Sequence, residues 1–426
     1  MSQAPDAVSI EPRGPLDARV QVPGSKSITN RALVAAALAQ GESTLHGGLT
    51  SDDTRVMIES LRALGCSVQI DGEAWNVPGR GGRLRAPARP LDTGNSGTTA
   101  RFLTAAAALA DGPVVIDGNA RMRERPIDDL VDALAGLGVH CEILGRNGCP
   151  PVRVPGGGLP GGRATIDARR SSQYVSAVLL AAPFARRDVT LALAGGALVS
   201  RPYVELTLKV MEDFGAHTEW RDPAQLRVFT GHPYRGRTYR VEPDASSAAY
   251  PFCAAAIAGG RVRVENVPRH SLQADFLLLD ILRLMGCQVH REANAAEVTG
   301  PSGALRGVDI DMNDLPDATL ALAVVALFAE GRTHIRNVAN LRIKETDRLA
   351  ALETELRKLG ANAHADADSL VIEPGPLRGA AIDTYDDHRM AMAFALAGLR
   401  VPGVVIRDPG CVSKTWPDYF SMLEQL

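Results

Sequence analysis

The sequence predicts an α/β protein of two domains, each built of three repeated units with buried helices and outer sheets. Three observations carry that prediction: an internal repeat of about seventy residues, alanine-rich helical segments with no polar face, and a glycine followed by paired alternating runs in each unit.

The repeat is set by six places where small and polar residues run into an apolar stretch. They are SKSITNRALVAAALA from Ser25, NSGTTARFLTAAAALA from Asn95, SSQYVSAVLLAA from Ser171, DASSAAYPFCAAAIA from Asp244, PDATLALAVVALFA from Pro316 and DDHRMAMAFALAG from Asp386. Between Ser27, Thr98, Ser172, Ser247, Asp317 and His388 the intervals are 71, 74, 75, 70 and 71 residues. Each segment reads as a helix capped by Ser, Thr, Asp or Asn, whose side-chain oxygen accepts from a free backbone N–H; Asp317 is read as one such cap. A helix apolar all round has to be buried. The longest apolar run, Leu320 to Ala329, is ten residues, against the roughly 18 that spanning a bilayer requires. Core helices of a soluble protein, with no membrane partner, are expected.

Each unit carries a second helix of mixed apolar and charged residues: DTRVMIESLRALG, PIDDLVDALAGLG, PYVELTLKVMEDFG, QADFLLLDILRLMG, ETDRLAALETELRKLG and PDYFSMLEQL. Five of these stop at Gly65, Gly138, Gly215, Gly286 and Gly360, the residue that tolerates a left-handed C-cap, and they are expected to cover the outside. After each glycine comes an alternating run such as CSVQI, VHCEI or CQVH, a turn, and a second short run such as EAWNVPG, PVRVPG, LRVFTG or SLVIEPG. Period two predicts a pair of strands. Six such units exceed one core of typical size, so three fall in each domain, the change lying near Thr238 to Glu242.

Composition excludes more than it suggests. A net charge of −3 with 4% aromatic residues argues against nucleic acid as a partner, which would want a basic surface and stacking rings. The start, MSQAPDAVSIEPRGPLDARV, has no apolar h-region and no Arg/Ser-rich transit character, which predicts a cytoplasmic protein. Six cysteines occur without a CxxC, and Cys66 and Cys287, each after a helix-ending glycine, read as core. His140, His217, His290 and His364 fall in the strands after the outer helices, so no metal site is expected. Gly24-Ser25-Lys26-Ser27 lacks the GxxxxGK[ST] spacing of an ATP loop.

The cations are not scattered. Lys26, Arg31, Arg101 and Arg389 sit at or within the first turns of the apolar helices. Arg121, Arg123 and Arg125 lie in NARMRERP before an outer helix, Lys344 and Arg348 flank the start of another, and Lys414 precedes the last. One such charge alone is most simply solvated or capping. Their recurrence at equivalent points, beside helix N-termini, predicts a site for small, multiply charged anions bearing phosphate or carboxylate. Among them stand Asp317 and Glu345, which alone would be an N-cap and a first-turn Glu. Surrounded by Lys and Arg, their ionisation is tuned, which is how acid and base roles are divided.

PGSKSITNRAL at 23–33, GNSGTTARFL at 94–103, RMRERPI at 121–127, SSQYVSAVLLAAP at 171–183, DASSAAY at 244–250, PDATLALA at 316–323, IKETDRL at 343–349, DDHRMAMAFAL at 386–396 and KTWPDYF at 414–420 closely resemble the 5-enolpyruvylshikimate-3-phosphate synthase family of enolpyruvyl transferases. The likeness runs in order over essentially the whole chain. It implies a two-domain inside-out α/β barrel with threefold pseudo-symmetry in each domain, residues 22–240 forming one and residues 1–21 with 241–426 the other. It also implies transfer of the enolpyruvyl group of phosphoenolpyruvate to the 5-hydroxyl of shikimate 3-phosphate with release of phosphate, in aromatic amino acid biosynthesis, without metal or organic cofactor; a monomer is expected, though neither length nor motif fixes the oligomeric state.

By the same resemblance, Lys26, Ser27, Arg31, Ser171, Ser172, Gln173, Ser200, Tyr203, Asp317, Asn340 and Lys344 would hold shikimate 3-phosphate. Lys26, Asn95, Gly97, Arg125, Gln173, Glu345, Arg348, His388, Arg389 and Lys414 would surround phosphoenolpyruvate. Asp317 would take the proton of the attacking hydroxyl, and Glu345, with Lys26, would handle the proton at C3 of the enol; which group delivers each proton stays open. Ser96 stands where the family often has Ala, and Phe102 where Pro often follows the Arg, which leaves sensitivity to glyphosate, an inhibitor characteristic of the family, open. Two other readings remain. The sibling transferase acting on UDP-N-acetylglucosamine typically carries a reactive Cys in the loop corresponding to residues 117–127, where DGNARMRERPI has none. A non-catalytic anion-binding or RNA-end-processing relative would have lost Asp317, Glu345 or one of the clustered cations, or would show a basic exterior.

Overall fold

The computed structural model describes residues 5–426. The chain divides into one unit, Gly24–Val241, and a second made of the N-terminal segment up to Pro23 together with Glu242–Leu426. Residues 1–4, assigned by the resemblance to the C-terminal domain, lie outside the described residues.

Along the first unit run helices α1 (Lys26–Leu38), α2 (Asp52–Ala63), α3 (Gly97–Ala106), α4 (Asp128–Gly136), α5 (Ser172–Ala181) and α6 (Arg201–Asp213). The second carries α7 (Ala245–Ala258), α8 (Leu278–Leu284), α9 (Thr319–Ala326), α10 (Arg348–Lys358), α11 (His388–Gly398) and α12 (Tyr419–Glu424). The odd-numbered helices are the alanine-rich ones. In the first unit α1, α3 and α5 pack on one another, and in the second α7, α9 and α11 do so. Alanine permits that close approach, while Leu33, Leu38, Phe102 and Phe394 are fully buried and contribute about 1.5–3 kcal/mol each.

Four inner helices are capped as their sequences imply. Ser96, Ser171, Asp244 and Asp387 accept from the backbone N–H of Thr99, Gln173, Ser247 and Arg389. Ser25 occupies the cap position of α1 without a side-chain bond to the helix. Asp317 is no cap: it sits in the 3-10 turn Pro316–Ala318, Ala318 is the residue before α9, and its carboxylate is taken up by cations. The outer helices end as expected, with Gly65, Gly138, Gly215, Gly286 and Gly360 at φ of 85°, 88°, 95°, 111° and 106°.

The sheets repeat one plan. In the first unit, Leu91–Asp92 lies parallel to Val114–Asp117, the strands on either side of α3, and Val152–Val154 and Glu142–Ile143 continue the sheet antiparallel. Gly162–Ala168 and Val189–Leu198 flank α5 in the same way. Around α1 and α7 the plan is exchanged. Thr238–Arg240, which precedes α7 in the chain, pairs parallel with Glu42–His46 of the first unit, whereas Leu16–Val20, which precedes α1, pairs parallel with Gly260–Val264 of the second. Each unit therefore completes a sheet with the strand that leads into the other, and the chain crosses twice. A further N-terminal strand, Ala7–Ile10, lies antiparallel to Val404–Arg407.

His217, His290 and His364 lie in strands, but His140 falls before Glu142–Ile143 rather than within it. Cys66 and Cys287 are buried, and burial pushes their thiols up to about 11 and about 12. Among the described residues, no helix is long and apolar enough to cross a membrane, and no cluster of three or more His, Cys, Asp or Glu is placed to hold a metal ion.

Candidate active site

In the first unit the polar residues gather at the starts of α1, α3, α5 and α6. Lys26 opens α1, with its ammonium 3.6 Å from Asp53, a buried first-turn residue of α2 that lies within the capping box formed by Ser51 and Thr54. One turn further, Arg31 is 2% exposed. It donates to Thr207 Oγ1 at 2.7 Å, to the Ser27 carbonyl at 2.9 Å and to the Tyr203 carbonyl at 3.1 Å, and its guanidinium lies 5.1 Å from the centre of the Phe102 ring. None of these partners is a carboxylate. Burial pulls Arg31 down to about 10, so it stays charged at neutral pH. A buried cation held only by neutral groups is costly, and an anionic ligand would offset that cost.

Gly97 opens α3, and the absence of a side chain there leaves room for two arginines. A Cβ would lie 2.4 Å from Arg101 Nη1 and 2.5 Å from Arg125 Nη2, so two guanidinium groups converge on the helix start. Arg125 is 4% exposed and donates to both the carbonyl and the side-chain oxygen of Asn95, at 3.0 and 3.1 Å. Arg121, partly buried, pairs with Glu124 at 3.0 Å, and the more exposed Arg123 pairs with Asp117 at 2.7 Å. Gln173 Nε2 reaches Thr98 Oγ1 at 3.2 Å, tying the start of α5 to that of α3. Ser171 and Ser172 stand at the cap and first residue of α5, and Ser200, before α6, is left-handed with φ 52°.

In the second unit Asp317 is the centre. Oδ1 lies 2.9 Å from Arg348 Nη1 and 3.4 Å from Lys344 Nζ, and Oδ2 lies 3.1 Å from Arg389 Nη2. Burial works to raise its pKa, but Arg389, Lys344 and Arg348 outweigh burial and hold it far below the usual carboxylate range. Glu345 is not a first-turn residue, because α10 begins at Arg348 after the cap Asp347, whose side chain accepts from the Ala350 N–H. Its carboxylate is instead 2.9 Å from Arg348 Nη2 and 3.3 Å from Lys414 Nζ. Arg348 is thus shared among carboxylates; although burial lowers its pKa, Asp387, Glu345 and Asp317 raise it further still, so the guanidinium is permanently charged. His388 is fully buried with Nδ1 3.7 Å from Asp387, and Asn340 is buried in the 3-10 stretch Ala339–Ile343.

Two carboxylates outside the sequence-based set matter here. Asp387 holds Arg348 in a fork, at 2.7 Å from Nε and 3.1 Å from Nη2, and Asp53 faces Lys26. Asp387 stands beside His388 in DDHRMAM and Asp53 opens the string DTRVM, so both were visible as residues. Their partners lie 39 and 27 positions away, which spacing alone does not pair.

Buried cations at helix starts, and two carboxylates that share Arg348 but end in separate cations, Arg389 and Lys414, define an α/β protein whose polar residues suit small polyanions. The chain belongs to the EPSP synthase (3-phosphoshikimate 1-carboxyvinyltransferase) family, whose model matches residues 10–423. It is 46% identical over 409 residues to a 3-phosphoshikimate 1-carboxyvinyltransferase of a Nostoc species, covering 96% of each chain. It is 45% identical over 426 residues to the Photobacterium profundum protein of the same name, covering 99% of each. Among solved structures, EPSP synthase from Acinetobacter baumannii is similar with a TM-score of 0.80 at 27% identity, over 98% of this chain and 97% of that one.

Proposed function

We propose that this chain transfers the enolpyruvyl group of phosphoenolpyruvate to the 5-hydroxyl of shikimate 3-phosphate and releases phosphate. The observation that carries the reading is Asp317, an ionised carboxylate ringed by Arg348, Lys344 and Arg389, with Glu345 set apart between Arg348 and Lys414. The family membership supports it over the sibling transferase and the non-catalytic relative.

In this reading Lys26, Ser27, Arg31, Ser171, Ser172, Gln173, Ser200 and Tyr203 of the first unit, with Asn340 and Lys344 of the second, are ligands of shikimate 3-phosphate. Arg31, which lacks a carboxylate among its hydrogen-bond partners, suits the phosphate. Lys26, Asn95, Gly97, Arg125 and Gln173, with Glu345, Arg348, His388, Arg389 and Lys414, are ligands of phosphoenolpyruvate. The paired guanidinium groups over Gly97 suit its negative charge.

The chemistry follows from where protons must go. Protonation at C3 of the enol makes C2 electrophilic, the 5-hydroxyl adds there, and a tetrahedral ketal phosphate forms. Removing a proton from C3 then expels phosphate. Asp317 accepts the hydroxyl proton and Glu345, with Lys26, serves C3; one carboxyl acts as base then acid, the other the reverse. Cations that hold Asp317 ionised also weaken it as a base. An arriving polyanion draws those cations to itself, so substrate binding raises the basicity of Asp317 when it is needed. A cytoplasmic monomer is part of the same reading.

The test is phosphate release from phosphoenolpyruvate with shikimate 3-phosphate or UDP-N-acetylglucosamine as acceptor. Release with the first alone is expected; release with the second alone, or with neither, contradicts the proposal.

A further inference from the structure

The chain between strand Ala381–Ile382 and α11 delivers Asp387 to Arg348 without using a glycine. The Asp387 N–H donates to the Thr384 carbonyl at 2.9 Å, closing a turn whose central residues, Tyr385 and Asp386, have φ of 57° and 55°. Positive φ at both central positions is the pattern of a type I′ turn, which Gly, Asn and Asp dominate. Tyrosine at the first of them is strained, and such a residue persists only where its surroundings over-determine it.

The surroundings here are one buried carboxylate. Tyr385 donates its hydroxyl to Glu355 Oε1 at 2.6 Å, and Glu355 Oε2 accepts from the Asp383 N–H at 3.2 Å. Glu355 is 0% exposed. Lys358 braces the same pair, 2.8 Å from Glu355 and 2.7 Å from Asp383. Glu355 therefore grips the turn on both sides of Thr384. It lies seven positions after Arg348 on α10, two turns along the same helix face. One helix thus carries both the guanidinium that Asp387 must meet and the carboxylate that fixes the turn bearing Asp387.

We propose that Glu355 and Tyr385 are positioning residues: they hold the left-handed turn so that the Asp387 fork orients Arg348 toward Asp317 and Glu345. The proposal rests on the reading of Arg348 as a ligand of phosphoenolpyruvate. Neither residue touches reacting atoms; both act through Asp387. A brace needed only for folding would alter stability and leave the two substrates equally affected.

Tyr385→Phe keeps the ring and removes only the hydroxyl. We expect KM for phosphoenolpyruvate to rise about three- to ten-fold, with KM for shikimate 3-phosphate changed less than about two-fold. Glu355→Gln, which keeps an oxygen for the Tyr385 hydroxyl, should show a smaller rise. In 15N-resolved NMR of the substrate-free protein, solvent exchange of the Arg348 Nε proton should quicken at least about ten-fold in Tyr385→Phe, because the fork no longer shields it. Unchanged exchange, equal rises in both KM values, or a lowered melting temperature with unaltered kinetics each overturn the proposal. If the wild-type protein releases no phosphate, the functional reading has failed, and the exchange measurement still decides the role of Tyr385. Should Tyr385→Phe not fold, Glu355→Leu carries the same measurements.

Discussion

Arg348 Nη1 lies 2.9 Å from Asp317 Oδ1, so the carboxylate read as the base is held by a guanidinium that its neighbours Glu345 and Asp387 also hold. That sharing keeps Asp317 ionised and aimed. Asp317→Ala is expected to lower turnover by roughly 10²- to 10⁴-fold, the range for losing a positioned acid or base, with the far-ultraviolet circular dichroism of the wild type. Glu345→Ala should do the same. Steady-state kinetics of both variants within a few-fold of wild type would remove them from the mechanism.

The same ion pairs make stability depend on pH. The pKa of Asp317 is lower in the folded chain than its ordinary 3.8, because the three cations outweigh the opposing effect of burial. Its ionised form therefore favours the native state. That contribution is complete above 3.8 and is lost as pH falls through the native value. Asp317→Asn lacks the titration, so the gap in urea midpoint between wild type and variant should be constant from neutral pH to about 5 and should narrow below about 4. A gap that stays constant to about pH 2.5 would show that Asp317 is not electrostatically held.

Arg348 offers a planar fork to Asp387 that lysine cannot copy. In Arg348→Lys, phosphoenolpyruvate should bind markedly worse and shikimate 3-phosphate much less so. The variant should also lose about 1–3 kcal/mol of stability, since Asp387 is left with part of its hydrogen bonding unmet in the core. Titration calorimetry with each ligand checks the first claim, and equal weakening of both contradicts it.

The helices were legible because burial writes itself into sequence: a segment apolar all round can only be inside, and the glycines at 65, 138, 215, 286 and 360 are read directly as positive φ. The chain crossing near Val20 and Thr238 was not legible from the repeat. Either strand could serve either sheet by composition, and only pairing partners distinguish them. In the candidate site the recurrent cations do not all behave alike: Arg31, Arg101, Arg125 and Arg389 are buried, whereas Arg121 and Arg123 pair with Glu124 and Asp117 nearer the surface. Asp317 and Glu345 read as helix-end residues only in isolation; the clustered cations set both among Lys and Arg, and what spacing alone does not name is which ones, since Arg389 and Lys414 come from far along the chain. Asp387 was passed over for the same reason.

Gly97 tests the convergence of two guanidinium groups on α3. In Gly97→Ala the methyl would come within 2.4 Å of Arg101 Nη1 and 2.5 Å of Arg125 Nη2. Both are ends of flexible side chains, so the protein should fold, with a change in melting temperature of only about a degree or two. Displacing Arg125 from its place should instead raise KM for phosphoenolpyruvate by roughly ten-fold, as a small misplacement of a clamping residue does. An unchanged KM would mean that Arg125 does not hold the donor.

Gly398 tests how the N-terminal segment is built into the second unit. It is the last residue of α11, where alanine would ordinarily gain up to about 1 kcal/mol of helix propensity. Here the added Cβ would lie 2.4 Å from Ile10 Cβ and 2.7 Å from Ile10 Cγ2. Those atoms cannot swing aside, because Ile10 is β-branched and its strand is paired with Val404–Arg407, the strand that follows α11. Overpacking costs about 1–3 kcal/mol, so the clash wins and Gly398→Ala should be destabilising by about 1–2 kcal/mol. Ile10→Ala alone should cost about 2–4 kcal/mol by emptying a buried site. In the double variant the alanine methyl at 398 enters the space that the isoleucine has left, so the combined loss in urea unfolding should fall short of the sum by at least about 1 kcal/mol. Strict additivity would mean that the two residues do not meet, and that the N-terminal strand does not close this core as the structure has it.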